Sequence, residues 1–268
     1  MYIFARRNKK AQPMDLVPGK KIYFVSDSHL GVPNHAASLK REKILVQWLE
    51  EISADAGEIF LLGDIFDFWF EYRTVVPKGF VRLLGKLAEL SDRGIPVHYF
   101  TGNHDMWTFG YLEKELGVKL HRHPIIRTFN EKIFLIGHGD GLGPGDTGYK
   151  LLKKVFTNRV CQKLFSWLHP GIGTGLALYF SRKSRMANGP ADEIFLGEEK
   201  ERLIAFCKET LDETHFHYFI FGHRHLPLDI RVGPNSRYIN TGDWVSQYSY
   251  AVFDGRELKL QKYPADPR

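Results

Sequence analysis

Cysteine is scarce in this chain: Cys161 and Cys207 are the only two in 268 residues, far apart and outside any C-x-x-C spacing. That pattern argues against both a disulfide framework and a thiolate metal site, and both residues read as small apolar ones. Long apolar runs are missing too, since charge breaks each run well short of a membrane span. The basic stretch 1–15 has neither an apolar h-region nor a small-residue cleavage site, so a cytoplasmic location is expected. There is no internal repeat and no low-complexity segment. One part of the chain, 147–191, lacks acidic residues altogether while holding eight Lys and Arg. With a net charge of +6 for the chain, those eight leave the remainder slightly acidic, so one segment sets the basic balance and points to an anionic partner there.

What the chain does have is a series of short apolar runs, each ending in an acidic or histidine motif. Strand-length runs at 21–26, 58–62, 96–101, 132–136 and 218–221 are rich in Ile, Val, Phe and Tyr. They end in Asp27-Ser28-His29, Gly63-Asp64-Ile65-Phe66-Asp67, Gly102-Asn103-His104-Asp105, Gly137-His138-Gly139-Asp140 and Gly222-His223-Arg224-His225. Helical patterns at about 37–53, 78–93 and 192–213 alternate with them, which predicts an α/β fold with ligands collected at the carboxyl edge of a sheet. After His225 come four helix-free runs, at 227–232, 237–240, 250–253 and 258–263. These are expected to pair antiparallel and extend a second sheet, giving two sheets face to face with helices outside.

Residues at i and i+2 of an ending strand can turn toward one edge, so Asp27 with His29, and His223 with His225, read as ligand pairs. Asp64, with two carboxylate oxygens, can bridge two ions. The expected assignment is Asp27, His29, Asp64 and His225 on one divalent ion, and Asp64, Asn103, His138 and His223 on the other. Mixed imidazole and carboxylate ligation suits Mn²⁺, Fe²⁺ or Zn²⁺ better than Ca²⁺. A pair of such ions facing a phosphoryl group activates water and takes up developing charge. Asp67 is expected to hold a hydrogen bond to a ligand histidine. His215-x-His217 enters its strand at the opposite end and is given no role, and His98, His121 and His123 read as solvated or core histidines.

The segment 147–191 interrupts the strand series. Leu151, Leu152, Val155, Phe156, Val160, Leu164, Phe165, Trp167 and Leu168 form a wide helical stripe with lysines mostly opposite, and a break at His169-Pro170-Gly171 precedes a second apolar stretch at 176–180. This predicts a helical hairpin, read either as extra core helices or as a cap over the site. Its mixture of aromatics with many aliphatics fits an amphiphilic substrate and no nucleic acid, and its basic apolar surface fits anionic lipid head groups.

The five motifs, in this order, resemble those of the calcineurin-like metallophosphoesterases over nearly the whole chain. Within that superfamily the chain is most similar to the UDP-2,3-diacylglucosamine diphosphatases of lipid A biosynthesis. The likeness is carried by Asp64-Ile65-Phe66 and Trp69, by His138-Gly139-Asp140 with Asp146, Gly148 and Tyr149, and by Lys183-Ser184-Arg185-Met186-Ala187-Asn188. The resemblance implies a four-layer αββα sandwich, 1–268 as one domain with a helical cap at about 147–191, and Mn²⁺ as the metal. It implies hydrolysis of UDP-2,3-diacylglucosamine to UMP and 2,3-diacylglucosamine 1-phosphate, with peripheral contact at the cytoplasmic face of the inner membrane. His104 is then the general acid, with Asp105 either orienting it or serving as a turn carboxylate. Lys183, Ser184, Arg185 and Asn188 would hold sugar or phosphate, while Asp146 and Tyr149 close the seam between cap and sheet. The diphosphatases typically carry Arg where this chain has His104, so another amphiphilic or nucleotide phosphodiester stays open as the substrate.

Overall fold

A computed structural model describes residues 14–264 except 193 and 196, and of residues 184–192 only the backbone. Among the described residues, eleven strands form two sheets. The first has the order β11 (Leu258–Lys262), β10 (Ser249–Phe253), β1 (Lys21–Val25), β2 (Ala56–Leu61), β3 (Val97–Phe100), β4 (Lys119–His121), and the second β5 (Ile125–Phe129), β6 (Lys132–Ile136), β7 (Tyr218–Phe221), β9 (Ser236–Thr241), β8 (Pro227–Gly233). In the first, β1 (Lys21–Val25), β2 (Ala56–Leu61), β3 (Val97–Phe100) and β4 (Lys119–His121) run parallel. The helices α1 (His35–Ser53), α2 (Val81–Asp92) and α3 (Tyr111–Leu116) connect them. The second sheet holds β5 (Ile125–Phe129), β6 (Lys132–Ile136), β7 (Tyr218–Phe221), β8 (Pro227–Gly233) and β9 (Ser236–Thr241). Between β6 and β7 stand α4 (Thr147–Thr157), α5 (Arg159–Phe165), α6 (Pro170–Asp192) and α7 (Arg202–Leu211).

Strand periodicity explains the layers. Tyr23, Val25, Ile59, Leu61, Val97 and Tyr99 face the helices, where Leu45, Trp48 and Leu49 of α1 and Leu83, Leu87 and Leu90 of α2 cover them. The alternate residues Ile22, Phe24, Phe60 and Phe100 face Phe134, Ile136, Ile220 and Ile239 of the second sheet. The outer face of that sheet, with Leu135, Phe219, Phe221 and Tyr238, packs on Leu203, Ile204, Phe206 and Cys207 of α7. The result is the expected order of helix, sheet, sheet and helix. Strands buried on both faces read as unbroken apolar runs, which is why β1, β2, β3, β6 and β7 stood out in the sequence.

Three expectations are corrected. The C-terminal strands do not all extend the second sheet: β8 and β9 do, but β10 (Ser249–Phe253) and β11 (Leu258–Lys262) form a hairpin that pairs antiparallel with β1. There, Ala251, Phe253 and Leu258 fill the space between the sheets. The helix expected at 192–213 is two separate elements. The long helix α6 ends at Asp192, Gly197 turns through φ +97°, and α7 starts only at Arg202. The hairpin expected at 147–191 is three helices, α4, α5 and α6, because Asn158 closes α4 and its side chain then accepts from the backbone N–H of Val160 and Cys161 to start α5. Cys161 and Cys207 are both free thiols.

Candidate metal centre

The five motifs converge at the carboxyl edges of β1, β2, β3, β6 and β7. Asp27, His29, Asp64 and His223 all have positive φ, between 39° and 68°, a costly conformation that re-aims each side chain at the strand's end. Arg41 of α1 holds the first of these loops, its buried guanidinium donating to the carbonyls of Ser28 and His29 at 2.6 and 2.8 Å. The glycines before the ligands permit close approach. A Cβ on Gly102 would collide with the Asp64 carboxylate, and one on Gly222 would lie 2.6 Å from Asp27 Oδ2.

The ligand atoms fall into groups spanning no more than 4.8 Å: Asp27 with His29 and His225, and Asp64 with His138 and His223. His104 forms a third such group with His29 and Asp64. Asn103 Oδ1 lies 3.2 Å from His138 Nε2, which is itself 3.4 Å from Asp64 Oδ2. Outer partners turn the inward nitrogens: His138 Nδ1 donates to the Leu62 carbonyl at 2.8 Å, His29 Nδ1 faces Asp67 at 3.3 Å, and His225 Nδ1 faces Asp243 at 3.5 Å.

The donor set fits cations. Asp27 Oδ1 is buried without a hydrogen-bond partner, while the Nε2 atoms of His29 and His225 each stand 3.7 Å from it. Burial alone would raise the carboxyls of Asp27 and Asp64, but the surrounding imidazoles, chiefly His29 and His138, outweigh it and hold both below the usual range. Conversely, burial opposes protonation of His29 and His138, yet Asp27 and Asp67 for the first and Asp64 for the second raise them to about 9 and about 10. Burial lowers His223, reinforced by His138, and lowers His104 against the pull of Asp64.

His104 lies at the edge of this cluster. Its Nδ1 donates to the Asp67 carbonyl at 3.0 Å, which leaves Nε2 without a hydrogen bond among the described residues. Asp105 does not orient it. The buried Asp105 carboxylate accepts from the N–H groups of Ile65 and Gly102 and from Tyr99 Oη, tying the loop after β2 to β3 and its own loop, so the turn role is the one the structure gives it. Burial, then the charge of Asp64, raises its pKa to about 6.

A cavity of about 780 Å³ opens beside the cluster, bounded by Asp67, Asn103 and His104 and walled by Trp107, Leu152, Phe156, Phe165, Leu176 and Phe180. Tyr149 and Lys183 also line it. Tyr149 Oη donates to Asp140, which Lys153 also contacts at 2.6 Å, so these two residues tie the 147–191 segment to the loop after β6, while Asp146, just before that segment, pairs with Arg202 of α7 at 2.9 Å. The side chains of Ser184, Arg185 and Asn188 lie outside the described residues. His217 Nδ1 accepts from the Ile133 N–H, and His98 and His121 bond to each other at 2.9 Å, all away from the centre.

Residues 20–227 match the family profile of the calcineurin-like phosphoesterases. The chain belongs to that family. Among its relatives, a UDP-2,3-diacylglucosamine hydrolase of Porphyromonas gingivalis is 41% identical over 253 residues, covering 90% of this chain and 97% of the relative. A protein of the same name from Yersinia pseudotuberculosis is 29% identical, covering 76% and 81% respectively. Among solved structures, Vps29 of Entamoeba histolytica aligns over 90% of this chain and 89% of its own, with 12% identity and a TM-score of 0.41. A likeness of that size carries no functional argument.

Within this calcineurin-like phosphoesterase, sequence reasoning missed Asp243 and Ser181. Asp243 follows a strand and a glycine, as Asp64 does, and that shared pattern was a usable signal. Nothing local marks Ser181.

Proposed function

We propose that this calcineurin-like phosphoesterase hydrolyses the pyrophosphate of UDP-2,3-diacylglucosamine to UMP and 2,3-diacylglucosamine 1-phosphate. The observation that carries the proposal is the direct opening of the ligand cluster onto a largely apolar cavity, in a chain 41% identical to a relative of that name. Asp27, His29, Asp64 and His225 would hold one divalent ion, and Asp64, Asn103, His138 and His223 the other, with Mn²⁺ as the metal. When bound, two such ions supply Lewis-acid charge at a phosphoryl group and make water more acidic.

The chain's own residues do the remaining work. Asp67 fixes the His104 ring by accepting from Nδ1–H through its backbone carbonyl, so that the imidazolium form, protonated on both nitrogens, can deliver its Nε2 proton to the departing oxygen. Lys183 and Tyr149 line the cavity, which supports Lys183 as the cation for the sugar or phosphate and Tyr149 as a boundary of the substrate's polar end. Trp107, Phe156, Phe165 and Leu176 accept the acyl chains and keep water from them. In this reading 1–268 is one domain, with 147–191 as its cap.

The cap's outer surface supports a second part of the proposal, peripheral contact with the cytoplasmic face of the inner membrane. Leu151, Val160, Leu164, Trp167, Ile172 and Tyr179 are exposed there, Trp167 by 72%, among the exposed cations Lys154, Arg159, Lys163 and Arg182. Among the described residues no helix is long and apolar enough to cross a membrane.

His104 favours one alternative, a phosphodiester whose leaving alkoxide needs the proton more than a phosphate does. Metal analysis joined to a Mn²⁺-dependent UMP-release assay decides between them. Release of UMP with two bound ions is expected; two bound ions without UMP, together with cleavage of aryl phosphodiesters, would replace the proposal by the alternative.

A further inference from the structure

One contact between the 147–191 segment and the metal centre runs through Ser181. Ser181 of α6 donates its hydroxyl to Asp67 Oδ2 at 3.0 Å, and its oxygen lies 3.4 Å from His104 Nδ1. The other carboxylate oxygen of Asp67 is 3.3 Å from His29 Nδ1 and 3.7 Å from His104 Nδ1. A single buried carboxylate therefore meets a cap residue, the expected general acid and an expected metal ligand at once.

Ser181 shares a helix face with Leu176, Ala177 and Phe180, because residues at i, i+1, i+4 and i+5 lie on one side of a helix, and all four line the cavity. Whatever fills the cavity presses on that face. A hydrogen bond weakens steeply with distance and misalignment, so a shift of about 1 Å in α6 is enough to break the Ser181 contact.

We infer that Ser181 is a positioning residue that acts through Asp67 on the orientation of His104, so that the seating of the cap on the cavity's occupant sets how well the proton donor is aimed. This deepens the proposed reading and rests on His104 as the donor, but it does not depend on which phosphate compound is cleaved.

The test compares the full-length protein with Ser181→Ala and Ser181→Thr. Two aryl phosphodiesters serve as probes, one losing phenolate, which needs a proton, and one losing p-nitrophenolate, which does not. The expected result for Ser181→Ala is a roughly tenfold lower kcat on the first and less than about twofold on the second. KM should change little, metal content should be retained, and Ser181→Thr should recover most of the rate. Independently of turnover, the His104 Nδ1–H resonance of the Zn²⁺-loaded protein should shift in Ser181→Ala and return in Ser181→Thr. An unmoved resonance, equal loss on both probes, or loss of metal would overturn the inference. Failure of the wild type to release UMP would overturn the substrate reading alone.

Discussion

The Nε2 atoms of His29 and His225, 196 residues apart in the chain, face each other at 3.2 Å, and each ring has a carboxylate behind it. Asp67 stands at the Nδ1 of His29 and Asp243 at the Nδ1 of His225. Such backing fixes a ring's orientation and raises its basicity as a ligand.

The Asp243 carboxylate accepts five further hydrogen bonds from the turn 245–247, and its carboxyl sits below the usual range because the His225 bond and the backbone N–H groups of that turn outweigh burial, the largest influence. Asp243→Asn should weaken binding of one ion about 10–100-fold while the other is retained. Metal titration followed by mass-spectrometric metal counting reads this directly. Undiminished affinity for both ions would remove Asp243 from the centre.

Asp64→Ala should lower turnover by more than about 100-fold, since losing even an outer partner of a ligand costs 10–100-fold. It should also deplete both ions, because Asp64 faces His29 as well as His138. Full activity, or loss of one ion only, would refute its bridging role.

The pair His98 and His121 predicts acid sensitivity away from the metal centre. Burial, then the charges of His98, Arg127 and Lys119, lower His121 to about 4 against the pull of Glu58, while the unfolded value is near 6.5. A folded value below the unfolded one means that unfolding takes up a proton. The stability from neutral His121 is therefore complete above about pH 6.5 and is lost as pH falls toward 4. At about 1.4 kcal/mol per pKa unit, Tm should fall by several degrees across that window. His121→Gln should flatten the dependence, and an unchanged slope in that variant would show the proton uptake to lie elsewhere.

The exposed apolar residues of the cap predict reversible membrane binding. Replacing both Leu164 and Trp167 by Glu should cut sedimentation with anionic vesicles at least fivefold without affecting the melting temperature, since both side chains are more than half exposed. Binding by the unaltered protein should weaken in high salt, as attraction to anionic lipid is screened. Equal sedimentation of the double variant would assign vesicle contact to another surface.

The clustered acidic and histidine motifs were legible because the signal is local. An apolar strand buried on both faces, a glycine that lets the backbone approach a carboxylate, and a polar residue just beyond the strand all lie within about eight positions. The short strands β4 and β5 were missed because neither is fully buried, so neither carries an unbroken apolar run. The path of β10 and β11 was likewise hidden, since alternation reveals a strand but not its neighbour.

By itself the sequence determined that five acidic and histidine motifs end strands of an α/β fold, and that one basic apolar segment stands apart. Only tertiary structure decided that Asp105 ties loops together, that Asp243 backs His225, and that Ser181 reaches Asp67 from the cap. Each of those is a contact between segments remote in sequence. The energy of such a contact depends on where packing places the partners, and neither residue's own neighbours along the chain record it.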